Sequence, residues 1–169
     1  SRRRHTRYWR DWSSDVCSSD LNIHLVLVGD GILYEEVNKI IRTNNLTNVH
    51  LPGYLSYSQL IQFYILSDVF VHPAIIEQWG VSVNEAITCN LPVIVSDMVG
   101  SGYDLVIDGF SGYIFKSKNS HDLTFKIEYL ISNRHLLNYF SNNAKSNLIN
   151  WSHEKTVSEI NNSLNYLSK

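Results

Sequence analysis

The chain has 169 residues, 44% of them apolar, with 14 Lys and Arg against 16 Asp and Glu and a formal net charge of -2, enough apolar matter for one globular domain with a real core. Eight Gly, three Pro and two Cys exclude a collagen-like repeat and a disulfide framework, and the near balance of charge excludes a charge-dominated disordered chain and a broad basic field for nucleic acid. The longest apolar runs, such as 25–28 and 69–71, fall far short of the roughly 18 residues that a bilayer-spanning helix needs, so the chain reads as soluble or peripheral.

Residues 1–21 differ from the rest. Arg2, Arg3, Arg4, Arg7 and Arg10 are interleaved with Asp11, Asp15 and Asp20, and neither the helical nor the strand period is present. Arg10, Asp11, Ser13, Ser14 and Asp15 stand where a secretory signal needs an unbroken apolar stretch. A basic arm for nucleic acid is the functional alternative, and the interleaved acids speak against it. The segment resembles translated sequencing-adapter read-through and is read as a non-native, disordered leader. The domain is then 22–169, with Cys89 as its one cysteine, which points to a reducing cytoplasm.

Residues 23–28 form a nearly unbroken aliphatic run closed by Gly29-Asp30-Gly31, the pattern of a buried parallel strand ending in a tight turn. Leu33, Val37, Ile40 and Ile41 then recur at helical spacing. A second strand at 49–51 ends at Pro52-Gly53, and Leu60, Ile61, Phe63, Tyr64 and Leu66 supply the next helix face. The third strand is predicted at 69–71. After His72-Pro73-Ala74 come a helix over 79–89, a strand over 92–96, a helix beginning near Tyr103 and a fifth strand over 112–115. This alternation predicts right-handed crossovers and an α/β fold with a doubly wound parallel sheet, whose ligands bind beyond the carboxyl ends of the strands. Helices over 121–133, 136–150 and 152–167 close the chain. Their apolar stripes (Ile127, Leu130, Ile131; Leu136, Leu137, Phe140; Val157, Ile160, Leu164, Leu167) read as core faces.

Two strand-to-helix turns carry the chemistry. At Gly29-Asp30-Gly31, glycines let backbone N–H groups approach a phosphate at a helix start. A dinucleotide fingerprint would place a third Gly at 34 and an acid some twenty positions on; Tyr34 and His50 stand there, which disfavours nicotinamide and flavin enzymes. Taken alone, the tripeptide is equally a turn that needs positive φ. The second turn lies in the stretch 73–86. Glu77 sits in the loop, Gly80 and Val81 present N–H groups in the first helical turn, and Glu85 follows about a turn and a half later. A ligand with a diphosphate between two polyhydroxyl groups matches such an anion cradle flanked by two acceptors. Spacing alone favours the plainer reading of a helix-start acid at 77 and a surface acid at 85.

Glu77 and Glu85, spaced Glu-x7-Glu after a strand with Gly80 three past the first Glu, resemble the donor-binding motif of retaining glycosyltransferases of family 4, the glycosyl transferases group 1. Leu25-Val26-Leu27-Val28-Gly29-Asp30-Gly31, Val49-His50-Leu51-Pro52-Gly53, Ser67-Asp68-Val69-Phe70-Val71, Leu91-Pro92-Val93-Ile94, Asp108-Gly109-Phe110-Ser111-Gly112 and Trp151-Ser152 fall in the same order and spacing as in that family. The resemblance implies the Rossmann-like C-terminal half of a GT-B fold, a nucleotide-diphosphate sugar as donor, and retaining transfer of a hexosyl group to a glycan or lipid-linked acceptor. No cofactor or metal is implied, and no Asp-x-Asp occurs. Position by position, Glu77 is implied as the catalytic contact to the donor sugar hydroxyls and Glu85 as the ribose ligand. The amides of Gly80, Val81 and Ser82 would hold the diphosphate, and Gly29 and Gly31 would line the nucleotide cleft.

Two departures are local: Ala74 replaces the family's Ser, and Asn90 replaces a Gly that ends a helix. A larger one is upstream. The family's phosphate-binding Arg and Lys precede the Gly-Asp-Gly turn, where this chain has only 1–21, so the reading is of a domain truncated on its N-terminal side, inactive alone and lacking its partner GT-B domain. The expected setting is cytoplasmic, with peripheral contact to the inner face of the membrane through that other half. The last helix would cross onto it, leaving an exposed apolar stripe here. His72 reads as a satisfied strand-end histidine, Cys89 as a buried thiol and Trp79 as a packing residue. Asp104 and Asp108 read as helix-start and turn residues. The rival readings are a sugar-nucleotide 2-epimerase of the same architecture and a non-catalytic nucleotide-sugar-binding module.

Overall fold

The computed structural model describes residues 23–167, so the reading of 1–21 as a leader lies outside the described residues. Strands and helices alternate as β1 (Leu25–Val28), α1 (Tyr34–Thr43), β2 (Val49–Gly53), α2 (Tyr57–Leu66), β3 (Phe70–His72), α3 (Val81–Thr88), β4 (Val93–Ser96), α4 (Gly100–Leu105) and β5 (Gly112–Phe115). The helices α5 (Ser120–Ser132), α6 (His135–Leu148) and α7 (His153–Leu167) follow, with a 3-10 turn at Ile149–Trp151 before the last.

Every strand pairing is parallel, β1 with β2 and β3 with β4 with β5. Side-chain alternation along the strands shows that both faces are covered. Val93 and Val95 of β4 join one apolar cluster with Tyr64 of α2, Val83, Ala86 and Ile87 of α3 and Leu105 of α4. Ile94, one step out of phase, joins the other with Val37 of α1, Leu123, Ile127 and Leu130 of α5 and Phe140 of α6. Because successive strand residues face opposite sides, these two memberships define a doubly wound layer with helices on both faces. Among the described residues no ladder joins β1 to β3. The two sets of strands are held together by packing, since Leu27 and Val49 share a cluster with Ile94 and Phe115.

Local chemistry sets the element ends. The Ser56 N–H donates to the Gln59 side-chain oxygen at 3.0 Å in a capping box that starts α2. Asn119 caps α5 by accepting from the Asp122 N–H at 3.1 Å. Asn90, at φ +65°, takes the left-handed conformation after α3 that its replacement of glycine requires. β2 continues through Pro52; Pro lacks an N–H, which costs nothing on an edge strand paired on one side with β1.

Four expectations are corrected. Helix α4 begins at Gly100 rather than near Tyr103, because acceptors outside the helix, the carbonyls of Glu77 and Trp79, take the N–H groups of Gly100 and Ser101. Asp104 therefore lies within α4 and does not start it, while Asp108 does serve a turn, accepting from the Ile114 N–H at 2.8 Å. Glu85 is half-buried, so it is no free surface acid. The stripes of α5 and α6 are core faces; that of α7 is not, with Val157, Ile160 and Leu164 more than half exposed and Leu167 80% exposed, which is the exposed apolar stripe expected of a last helix that crosses onto another half. No described helix is long and apolar enough to cross a membrane.

Candidate functional site

The loop between β3 and α3 is held by a clasp with the segment that opens α4. Glu77 donates its N–H to the Met98 carbonyl at 3.1 Å, and its own carbonyl accepts from the Gly100 N–H at 3.0 Å. The Trp79 carbonyl accepts from the Ser101 N–H at 2.8 Å, and the Gly80 carbonyl from the Ser101 hydroxyl at 3.4 Å. Two glycines make this approach feasible. Gly80, at φ +90°, is closely enclosed: a Cβ there would stand 3.1 Å from Val99 Cγ1 and 3.2 Å from His72 Nε2, so those side chains would have to give way. A Cβ on Gly100 would overlap the Gln78 carbonyl oxygen.

The clasp has an electrostatic consequence. A trans peptide points its N–H opposite to its C=O, and no described peptide bond is cis. With the carbonyls of Glu77, Trp79 and Gly80 turned toward Gly100 and Ser101, the N–H groups of Gln78, Gly80 and Val81 are directed away from the clasp. Val81 and Ser82 open α3, where first-turn amides have no intrahelical acceptor and the helix dipole adds partial positive charge. The arrangement can bind an anion through the backbone. Trp79 fixes the loop from behind: its indole N–H donates to Asn84 Oδ1 at 2.9 Å and its ring lies 5.0 Å from that of Trp151.

Glu77 is half-buried in the loop, with its Cγ 3.4 Å from where a Gly80 Cβ would sit. Glu85, half-buried on α3, accepts a hydrogen bond from the Tyr64 hydroxyl of α2 at 3.1 Å. Burial, and then the Glu85 charge, push the Tyr64 phenol well above its usual pKa near 10, so it remains a donor. His72 is buried, its ring stacked on Phe70 at 6.0 Å. Cys89 is half-buried against the apolar cluster under α3.

Gly29 adopts φ +124°, and its N–H donates to the Gly53 carbonyl at 2.9 Å. A Cβ there would meet nothing within 4 Å. The Gly31 carbonyl accepts the Tyr34 N–H at 3.0 Å as α1 opens, and the Tyr34 hydroxyl donates to the Leu51 carbonyl at 3.1 Å. The residue standing where a dinucleotide site would want its third glycine is thus tied to β2. Glu77, Gly80, Val81, Ser82 and Glu85 form one loop-and-helix unit beyond β3, while Gly29 and Gly31 follow β1 on the other ladder.

The family model for glycosyl transferases group 1 matches residues 13–147. The chain belongs to this family. It is 33% identical over 138 residues to an uncharacterized glycosyltransferase of Methanocaldococcus jannaschii, covering 82% of this chain and 39% of that protein. It is 29% identical over 137 residues to the poly(ribitol-phosphate) alpha-N-acetylglucosaminyltransferase of Staphylococcus aureus, covering 79% of this chain and 27% of the relative. Among solved structures, TarM superposes with a TM-score of 0.82 at 26% identity over 94% of this chain and 33% of its own. HepE from Anabaena, in complex with UDP and glucose, superposes with a TM-score of 0.77 at 19% identity over 92% of this chain and 46% of its own. The chain thus spans less than half the length of each of these proteins. The parallel, doubly wound layer is that of the Rossmann-like C-terminal half of GT-B glycosyltransferases.

In this group 1 sequence, Gly100, Ser101, Asn84 and Tyr64 are site residues that the motif spacing does not mark. Gly100 and Ser101 lie in a Gly-rich stretch of poor helix propensity, with no local pattern to mark them. A tyrosine on an otherwise apolar helix face was a usable signal, because a buried phenol requires a partner.

Proposed function

We propose that residues 22–169 are the donor-binding C-terminal half of a retaining, metal-independent hexosyltransferase. The donor is a nucleoside-diphosphate sugar and the acceptor a glycan or lipid-linked glycan. The observation that carries this reading is the outward amide edge at Gly80 and Val81, flanked by Glu77 and Glu85. In it the amides of Gly80, Val81 and Ser82 hold the diphosphate, Glu85 accepts from the ribose hydroxyls, and Glu77 orients the transferred sugar through its hydroxyls. Gly29 and Gly31 line the nucleotide side. A solved TarM structure at 26% identity holds UDP, which makes UDP the first ligand to test.

Retention follows if the acceptor oxygen bonds the anomeric carbon on the face from which the diphosphate oxygen departs. The acceptor proton then passes to that diphosphate, so this half need supply no general base. Titrating the chain with UDP, GDP, ADP and their hexose conjugates, followed by NMR, tests the reading. Selective shifts at Gly29, Gly80 and Glu85 are expected. Glu85→Ala removes charge-assisted bonds of about 1.5 to 3 kcal/mol, a roughly ten- to hundredfold loss of affinity. A folded sample that responds to none of these ligands overturns the proposal.

A further inference from the structure

We infer that Tyr64 is a positioning residue for nucleotide recognition, holding the Glu85 carboxylate in the orientation that receives the ribose. The inference rests on the assignment of Glu85 made above. Tyr64 is on α2, outside the Glu-x7-Glu loop-and-helix unit, and only 5% exposed. Its ring is braced edge-on by Phe70 at 5.6 Å, and its hydroxyl donates to Glu85 Oε2 at 3.1 Å.

The chemistry of a carboxylate makes this bond consequential. A glutamate on a helix surface samples several rotamers, and a bidentate contact with two vicinal hydroxyls requires one of them. A donor fixed by the core selects that rotamer before the ligand arrives, so less ordering remains to be done on binding. Each carboxylate oxygen has two acceptor sites, so the bond from Tyr64 leaves capacity for both ribose hydroxyls. The phenol suits the task because even at its usual pKa near 10 it keeps its proton throughout the neutral range, and here burial raises that value further. A serine or threonine at position 64 would be too short to span the gap, and a lysine would introduce a charge into an apolar cluster containing Val83, Ala86 and Ile87.

The test compares UDP with 2′,3′-dideoxy-UDP on wild type, Tyr64→Phe, Glu85→Gln and the double variant, by calorimetry on the full chain. Tyr64→Phe is expected to weaken UDP about three- to tenfold while leaving the dideoxy analogue nearly unchanged. The double variant should bind no worse than Glu85→Gln, since both act through one contact. Tyr64→Phe binding UDP like wild type, while Glu85→Gln binds it weakly, overturns the role of Tyr64 and leaves the ribose assignment standing. Wild-type affinity in Glu85→Gln overturns the ribose assignment itself. An equal loss for both ligands in Tyr64→Phe means a merely structural phenol and also overturns the inference. If Tyr64→Phe does not fold, 3-fluorotyrosine at 64 keeps the hydroxyl: its fluorine resonance should move with UDP and stay with the dideoxy analogue. The same response to both is the contrary result.

Discussion

The turn at Gly29 and the loop at Gly80 perform the same geometric task, leading the chain from the end of a strand toward a helix through a glycine at positive φ, +124° and +90°. They are built in opposite ways. Gly80 is surrounded by Val99, His72 and Glu77, and its loop is bonded through three carbonyls to Gly100 and Ser101. Around the missing Gly29 Cβ there is open space. In the first case glycine is demanded by conformation and by neighbours together; in the second, conformation alone demands it. Interlocked backbone resists change from within, whereas an open turn is sensitive only to what arrives from outside.

Gly100→Ala should separate the two most sharply. Its methyl would collide with backbone that cannot swing aside, and a loss of about 3 kcal/mol or more is expected from the urea midpoint. A near-normal midpoint would show that the clasp yields. Gly80→Ala combines left-handed strain with close contacts to two side chains, for about 2 kcal/mol in the same assay. Gly29→Ala carries the strain alone, about 1 kcal/mol. Its larger effect should be on UDP, with affinity falling roughly tenfold as the methyl enters the space the nucleotide would use. If Gly29→Ala proves as destabilising as Gly100→Ala and leaves UDP binding unchanged, the contrast between the turns is wrong.

A further effect is expected only at alkaline pH. The Tyr64 pKa is raised on folding, so its contribution to stability is complete below the unfolded value near 10 and is lost as the pH climbs through and beyond it. Tyr64→Phe should make the fall of stability above about pH 10 shallower. An unchanged slope between pH 9 and 11.5 would mean that the phenol is not buried against Glu85.

How much of this was legible in the sequence differs between the same two regions. Gly29-Asp30-Gly31 ends an aliphatic run, and strand, turn and helix all lie within some twenty consecutive residues, so local pattern sufficed to place them. The ends of β5 were legible for the same reason. Glu77, Gly80 and Glu85 were visible as a spacing, but what holds them was not. The partners of the loop sit about twenty positions downstream at Met98, Gly100 and Ser101, and Tyr64 is twenty-one positions upstream of Glu85. Such pairings exist only once β3 and β4 lie side by side. The start of α4 is hidden from local pattern because two glycines weaken its first turn and bonds from another loop restore it. The stripe of α7 has a core-like period with no core beneath it, and periodicity alone cannot report whether a partner surface is present.

The seam between the two ladders bears on how relatives of this domain diversify. Backbone hydrogen bonds space strands at a fixed distance of about 4.8 Å, but interdigitated side chains impose no such ruler. Leu27 of β1 and Val49 of β2 belong to one apolar cluster with Ile94 of β4 and Phe115 of β5, against which Val71 of β3 packs, so side chains of this cluster bear on how the two sets of strands stand to each other. Exchanging one of them for a neighbour in size would move the turn at Gly29 relative to the loop at Gly80 by fractions of an ångström. The aperture between them could thus drift from one related chain to another while every residue facing it stayed the same.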